Sequence, residues 1–145
     1  MPDFSIVIGP LGALILVHIG VTAPRRQALL AANEPVPEAV LATLLIDTGA
    51  SISGIDAGVL KGLPLQPTGV IGLLTPTTGA TPQQTPTYDV ELTIPGGSDG
   101  LTYHIAALAV TEGHFSGHQG LLGRDVLQAC RMTYNGLDNT VQLSF

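Results

Sequence analysis

The chain has 145 residues, of which 45% are hydrophobic and only 11% are charged, and its formal net charge is −6 at pH 7. This length predicts a single domain over residues 1–145 with one core, and the total of five Lys and Arg argues against a nucleic-acid-binding surface. The 18 Gly and 11 Pro favour many short strands and turns over a helical bundle.

The first apolar stretch, residues 4–21, permits two interpretations. Its length and hydropathy fit a membrane span. However, a Gly-Pro-Leu-Gly turn at residues 9–12 interrupts it. A secretory signal would have Lys or Arg before its apolar stretch, and none precedes this one. We therefore expect strands over residues 4–8 and 13–21, with a membrane anchor as the alternative.

The next segment, residues 22–40, contains three prolines, and we expect a surface insertion with a short helix over residues 25–32. The apolar run of residues 41–46 then predicts a buried strand. Asp47, Thr48 and Gly49 follow this strand directly. A carboxylate at the end of a buried strand, beside a glycine that permits close backbone approach, is a candidate functional group.

The middle of the chain predicts a brief strand over residues 51–55, Asp56 as the N-cap of a helix over residues 57–61, and a hairpin. Alternation with a period of two supports the second arm, residues 87–94, and residues 68–74 would form the first. The small, polar residues 75–82 connect the two arms.

The last third predicts a core strand over residues 101–110, a loop over 111–119 and a strand over 120–122. Asp125 is predicted to cap a helix over residues 126–131, in which the single cysteine, Cys130, would be a small buried residue. An Asn-Gly turn then precedes a terminal strand over residues 140–145.

Two motifs in this order resemble the retropepsin-like (retroviral-type) aspartic peptidases. The first is Asp47-Thr48-Gly49, and the second is the apolar pair Leu121-Leu122 followed by Gly123-Arg124-Asp125. The resemblance implies an all-β, closed-barrel fold with one or two short helices, and a bacterial-type single-domain member. It leaves residues 22–40 unaligned.

The resemblance also implies a mechanism. Aspartic peptidases use two carboxylates that share one proton, and a single Asp-Thr-Gly motif requires a homodimer in which each protomer contributes Asp47. An aspartic endopeptidase of this kind acts on peptide or protein substrates and needs no cofactor or metal. The apolar composition is consistent with an obligate dimer.

The family pattern assigns further roles residue by residue. Thr48 would bond across the two-fold axis and Gly49 would present backbone to the substrate, while Ala50 and Ser51 would line the substrate site. The connection between the hairpin arms would form a flap, with Thr77, Thr78 and Gly79 at its tip. The second motif, Leu122 to Asp125, is expected to be structural, although Ser51 stands where the retroviral enzymes have an acid that pairs with the arginine.

Three alternatives stay open on the sequence alone. A protein of the same fold could bind a peptide or partner without hydrolysing it, and residues 4–21 could tether a peptidase to a membrane. His114 and His118 have a spacing that would suit a metal on a helix, but Phe-Ser-Gly between them favours a loop. We expect no metal, no nucleic-acid partner, no membrane contact and a cytoplasmic location.

Overall fold

The computed structural model describes residues 1–75 and 79–145. In this part of the chain it contains ten strands, three short α-helices and one 3-10 turn at Ser98–Gly100. The strands are β1 (Asp3–Gly9), β2 (Gly12–Gly20), β3 (Val40–Ile46), β4 (Gly54–Asp56), β5 (Gly69–Leu73), β6 (Gln83–Ile94), β7 (Tyr103–Gly113), β8 (Gly120–Leu122), β9 (Arg131–Asn135) and β10 (Thr140–Ser144); the helices are α1 (Ala23–Ala31), α2 (Ala57–Lys61) and α3 (Arg124–Leu127).

Six strands form a closed barrel in the order β6-β7-β4-β8-β3-β2, and the pairing of β2 with β6 completes the circle. Most pairs are antiparallel, but β3 runs parallel to β8 and β4 runs parallel to β7. The predicted all-β, closed-barrel fold is thereby confirmed. The parallel β3–β8 pair brings the end of the Asp47 strand beside the second motif.

The core lies inside this barrel because alternate residues of its strands point inward. Val17 on β2, Leu44 on β3 and Val90 on β6 are fully buried, as is Leu122 on β8. The period-two pattern that predicts β6 from the sequence therefore has its physical cause in the burial of one face.

Outside the barrel the sheet continues from β2 to β1, β10 and β9, and the order β1-β10-β9 joins the two ends of the chain. β1 pairs antiparallel with β10, and β10 pairs antiparallel with β9. Residues 4–21 accordingly form β1, a turn and β2, as the strand interpretation predicts. No helix in the described residues is long and apolar enough to cross a membrane.

A hairpin is present, but its second arm is not the predicted one. β5 pairs antiparallel with the first part of β6, from Gly69–Thr87 to Leu73–Gln83, whereas the predicted arm, residues 87–94, pairs mainly with β7. The arm β6 starts earlier than the sequence indicates, at Gln83, and it passes from the hairpin into the barrel. The insertion helix and the Asp56 cap are also present, and the Asp56 carboxylate accepts a hydrogen bond from Gly58 N at 2.9 Å.

Two predictions around the second motif are wrong. The helix expected over residues 126–131 is a single turn that ends at Leu127, and its N-cap residue is Gly123 rather than Asp125. Cys130 lies after this helix and is only half-buried. The remaining residues continue into β9, which the sequence analysis missed, because pairing with β10 stabilises these residues more than helix propensity does.

Two further boundaries differ from the prediction. The loop expected from residue 111 begins only after Gly113, because Thr111 pairs with both Thr87 and Gly54. The brief strand expected over residues 51–55 is β4, which starts at Gly54. The first shift lengthens β7, whereas the second shortens β4 to 3 residues and leaves residues 51–53 in the loop before it.

Candidate active site

Asp47 lies at the point where β3 leaves the barrel. Its backbone N–H donates to Leu122 O at 3.0 Å, which continues the β3–β8 pairing by one residue. The half-buried side chain turns back on its own loop, because Oδ1 accepts a hydrogen bond from Gly49 N at 2.8 Å. The Asp-Thr-Gly sequence therefore forms a tight turn that fixes the position of the carboxylate.

The second motif holds this turn through Arg124. The Arg124 N–H donates to Ala50 O at 2.8 Å, and the guanidinium Nη1 donates to Thr48 O at 2.7 Å. A hydrogen bond from a charged donor is stronger than one between neutral groups. Arg124 thus bonds to two backbone carbonyls of its own chain. The residue expected to pair with it by resemblance is Ser51, which has no carboxylate.

Asp125 is bonded to Ser53, on the chain just after the Asp47 turn. Its two carboxylate oxygens accept from Ser53 N at 2.8 Å and from Ser53 Oγ at 2.7 Å, and Ser53 Oγ accepts from Gly123 N at 2.9 Å. Ser53 is fully buried, and each of these buried polar groups has a partner. Sequence analysis missed Ser53; its only signal is a hydroxyl in an otherwise apolar stretch.

Gly123 is required where the two segments touch. A Cβ on this residue would lie 2.9 Å from Ala50 O and 3.0 Å from the carbonyl carbon of Ile52. Both atoms belong to backbone, so neither can move aside cheaply. The Leu122 to Asp125 motif therefore packs directly against the Asp47 loop, which we define as residues 47–53.

A cavity of about 430 Å³ opens in front of the Asp47 loop. Its lining comes from three segments: the Asp47 loop with β4, the end of the β5 arm, and the end of β7 with the residues after it. The lining residues are Asp47, Gly49, Ala50, Ser51, Ile52, Gly54, Leu73, Leu74, Thr75, Thr111, Glu112, Gly113, His114, Phe115 and Leu121. A cleft of this size with mainly apolar walls and few polar groups is typical of a ligand site.

The structure brings four of the five predicted residues 47–51 together at one cavity. Asp47, Gly49, Ala50 and Ser51 all line the cavity. Thr48 is exposed on the other side of the loop, where it lines a separate cavity of about 270 Å³.

The predicted flap is described only in part. Gly79 is exposed and has a positive φ of 62°, as a turn glycine should, and its N–H donates to Thr75 O at 3.2 Å. Thr77 and Thr78 lie outside the described residues. Leu73, Leu74 and Thr75, which the sequence analysis did not single out as site residues, bring the hairpin to the cavity.

The two histidines considered for a metal lie in a loop and not on a helix. His118 Nδ1 is 2.9 Å from Gly120 O, and its ring contacts that of Phe115. Among the described residues, no three His, Cys, Asp or Glu side chains are grouped as metal ligands.

Glu112 is the second acid on the cavity wall, and it is engaged by a neighbour. Its Oε2 accepts a hydrogen bond from Tyr88 Oη at 3.0 Å. Burial raises the pKa of Tyr88, and the hydrogen bond and negative charge of Glu112 raise it further. This acid therefore links β7 to β6 beside the cavity.

No family model matches the chain, and no curated protein matches it significantly. A solved structure does match: the retropepsin-like aspartic protease from Rickettsia conorii, with a TM-score of 0.51 and 15% sequence identity over 99% of this chain and 91% of that one. The chain has the retropepsin-like fold. Identity this low establishes the fold alone.

Proposed function

We propose that this chain is an aspartic endopeptidase that acts as a homodimer, with one Asp47 from each protomer. The observation that carries the proposal is the position of Asp47, whose carboxylate lies at the cavity in a turn fixed by hydrogen bonds from Gly49 and Arg124. The retropepsin-like fold also supports the proposal of an aspartic endopeptidase.

The need for a second copy follows from the acids available. Among the described residues that line the cavity, only Asp47 and Glu112 carry carboxylates, and Glu112 accepts a hydrogen bond from Tyr88. A mechanism with two carboxylates that share a proton therefore calls for a second Asp47.

The surface beside the Asp47 loop suits such a copy. Thr48 and Asp47 border the cavity of about 270 Å³ next to the β1-β10-β9 sheet, together with Met132 and Tyr134. Tyr134 is 65% exposed. An exposed tyrosine beside a site that lacks one of its two carboxylates favours burial against another protomer.

The chemistry proposed for the dimer divides the work between the two carboxyl groups. The ionised Asp47 takes a proton from a water molecule as the water oxygen attacks the peptide carbonyl carbon, and the protonated Asp47 gives its proton to the carbonyl oxygen. The resulting gem-diol collapses as a proton passes to the amide nitrogen. The products are a carboxylic acid and an amine, and no cofactor takes part.

The substrate is proposed to bind as an extended peptide between the Asp47 loop and the hairpin. Ala50 and Ser51 line the cavity on the side of the loop, and Leu74 lines it on the side of the hairpin. Residues 77–79 are proposed to close over the peptide as a flap and to bond with its backbone.

The test is cleavage of a mixed peptide library by the purified protein from acid to neutral pH, with Asp47→Asn as the control. The variant keeps the shape of the side chain but lacks the ionisable carboxyl group. We expect cleavage by the wild type and a loss of at least about a thousandfold in the variant, because the base is removed. Equal cleavage by both proteins would show a contaminating peptidase.

The dimer is tested separately by sedimentation equilibrium at the concentration used in the assay. We expect twice the monomer mass and a specific activity that falls on dilution. A folded dimer that leaves every peptide intact would overturn the peptidase proposal and favour a binding module of the same fold.

A further inference from the structure

The ring of Phe115 occupies space that is free because two neighbouring residues are glycines without a Cβ. A Cβ on Gly54 would lie 3.3 Å from Phe115 Cζ, and a Cβ on Gly113 would lie 2.9 Å from the same atom. The ring therefore packs directly on the backbone of β4 and of the end of β7. Gly54, Gly113 and Phe115 all line the cavity in front of Asp47, so the ring fills one part of the cleft.

The backbone of Phe115 is bonded to the side chain of Asp56. Its N–H donates to Asp56 Oδ2 at 3.4 Å, while the other oxygen of Asp56 caps α2 through Gly58 N. The ring also contacts the His118 imidazole, with 5.5 Å between the ring centroids. Phe115 is thus fixed from both its backbone and its side chain.

The rest of the loop, residues 114–119, is attached at its far end and its middle. At the far end, Gln119 bonds to both backbone groups of Thr43 on β3, as a residue of a neighbouring strand would. Its N–H donates to Thr43 O at 2.8 Å, and its Oε1 accepts from Thr43 N at 2.9 Å. Gly117 has a φ of 83°, and a Cβ on it would lie 2.8 Å from Leu11 Cδ1. These contacts make Phe115 part of a preformed wall.

We propose that Phe115 is a specificity-determining residue, whose ring restricts the substrate side chain bound over Gly54 and Gly113 to small residues such as Gly, Ala or Ser. This inference rests on the proposed function, since it concerns the substrate of the same cleft. The glycines would otherwise leave room for a large side chain, and the protein's own ring takes that room.

Removal of the Phe115 ring should leave a pocket that accepts a large substrate side chain. Phe115→Ala leaves the two glycines facing an apolar hole, which a Phe or Leu side chain of the substrate can fill with a gain in buried apolar surface. The effect is confined to one substrate position, because the ring lies at one part of the cleft. A residue with a purely structural role would lower cleavage of all peptides alike.

The experiment compares wild type, Phe115→Ala and Phe115→Leu on a peptide series in which each position carries Gly, Ala, Leu or Phe in turn. At one position we expect the ratio of kcat/KM for Phe over Ala to rise about tenfold or more in Phe115→Ala. Phe115→Leu should give an intermediate ratio and provides a variant with a larger apolar side chain if the alanine variant is unstable. Ser116→Ala, at the exposed neighbouring residue, should leave the ratio unchanged.

Binding separates this inference from the peptidase proposal. The same peptides are titrated into Asp47→Asn and into the Asp47→Asn, Phe115→Ala double variant by calorimetry. Tighter binding of the Phe peptide to the double variant supports the role of Phe115 even if the wild type cleaves nothing. Cleavage with an unchanged ratio overturns this inference alone, and a failure of both proteins to bind any peptide overturns it together with the proposed cleft.

Discussion

The Asp47 loop and the β5–β6 hairpin face the same cavity, but they are supported in different ways. The loop receives hydrogen bonds from a segment far along the chain, including those of Asp125 with Ser53 and of Arg124 with Thr48. Among the described residues, the arm β5 pairs only with β6, and Val70 on it is 62% exposed. The comparison suggests a fixed wall that carries the carboxylate and a second wall that is free to move without unfolding the barrel.

The largest effect on stability is expected where Asp125 supports the loop. Asp125→Ala leaves the N–H and hydroxyl of the fully buried Ser53 without their acceptor, so we expect the free energy of unfolding to fall by about 3 kcal/mol. Urea unfolding of the Asp47→Asn protein, which avoids self-cleavage, measures this change. Asp125→Asn keeps one acceptor oxygen and should lose about half as much; two values within about 0.5 kcal/mol of the parent would contradict the assigned role.

The next prediction compares one substitution in the two settings. Val90 is fully buried in the barrel part of β6, and its replacement by Ala should cost about 2 kcal/mol. Val70→Ala in the hairpin arm should cost less than about 0.5 kcal/mol, because that side chain is 62% exposed. Thermal or urea unfolding of both variants gives the difference. Similar costs at the two sites would mean that the hairpin is as firmly packed as the barrel.

The sequence predicts the barrel better than it predicts the contacts of the site. The strands of the barrel bury one face or both, and burial leaves a pattern of apolar residues that can be recognised locally. β9 cannot be predicted from the sequence in this way, because its residues are mostly exposed and it is stabilised by pairing with β10.

Asp125 shows the same limit at the site. A local rule makes it a helix cap, whereas its partner Ser53 stands 72 positions earlier in the chain. Nothing within a few residues of either side chain indicates the other. Asp47 could be singled out because the motif itself is local, and Phe115 could not, because the glycines that accommodate its ring belong to two different strands.

A smaller effect on stability is expected from Arg124, which binds the loop from an exposed position. Arg124→Ala removes the hydrogen bond from Nη1 to Thr48 O, and we expect a loss of about 1 kcal/mol. Cleavage should suffer more than stability, because the Asp-Thr-Gly turn loses a contact that orients it. Lys61→Ala removes a positive charge from the exposed end of α2 and serves as the control for net charge. An equal loss of cleavage in both variants would point to charge alone.

The smallest effect concerns Tyr88, near the point where β6 passes from the hairpin into the barrel. Burial and then the hydrogen bond to Glu112 raise the pKa of this tyrosine, so folding favours its neutral form. That stabilisation is fully present below the pKa of an unfolded tyrosine, near 10, and is lost as pH rises through the higher pKa of the folded state.

Tyr88→Phe tests whether this contact fixes the base of the hairpin. The variant should lose no more than about 0.5 kcal/mol at neutral pH, because the group is only half-buried, and its stability should decline less than that of the wild type above pH 10. Urea unfolding between neutral pH and pH 11 measures both. Tyr134→Phe, at a tyrosine that is 65% exposed, should follow the wild-type curve. If Tyr88→Phe follows it as well, the hydrogen bond to Glu112 does not stabilise the fold, and the hairpin is attached to the barrel by strand pairing alone.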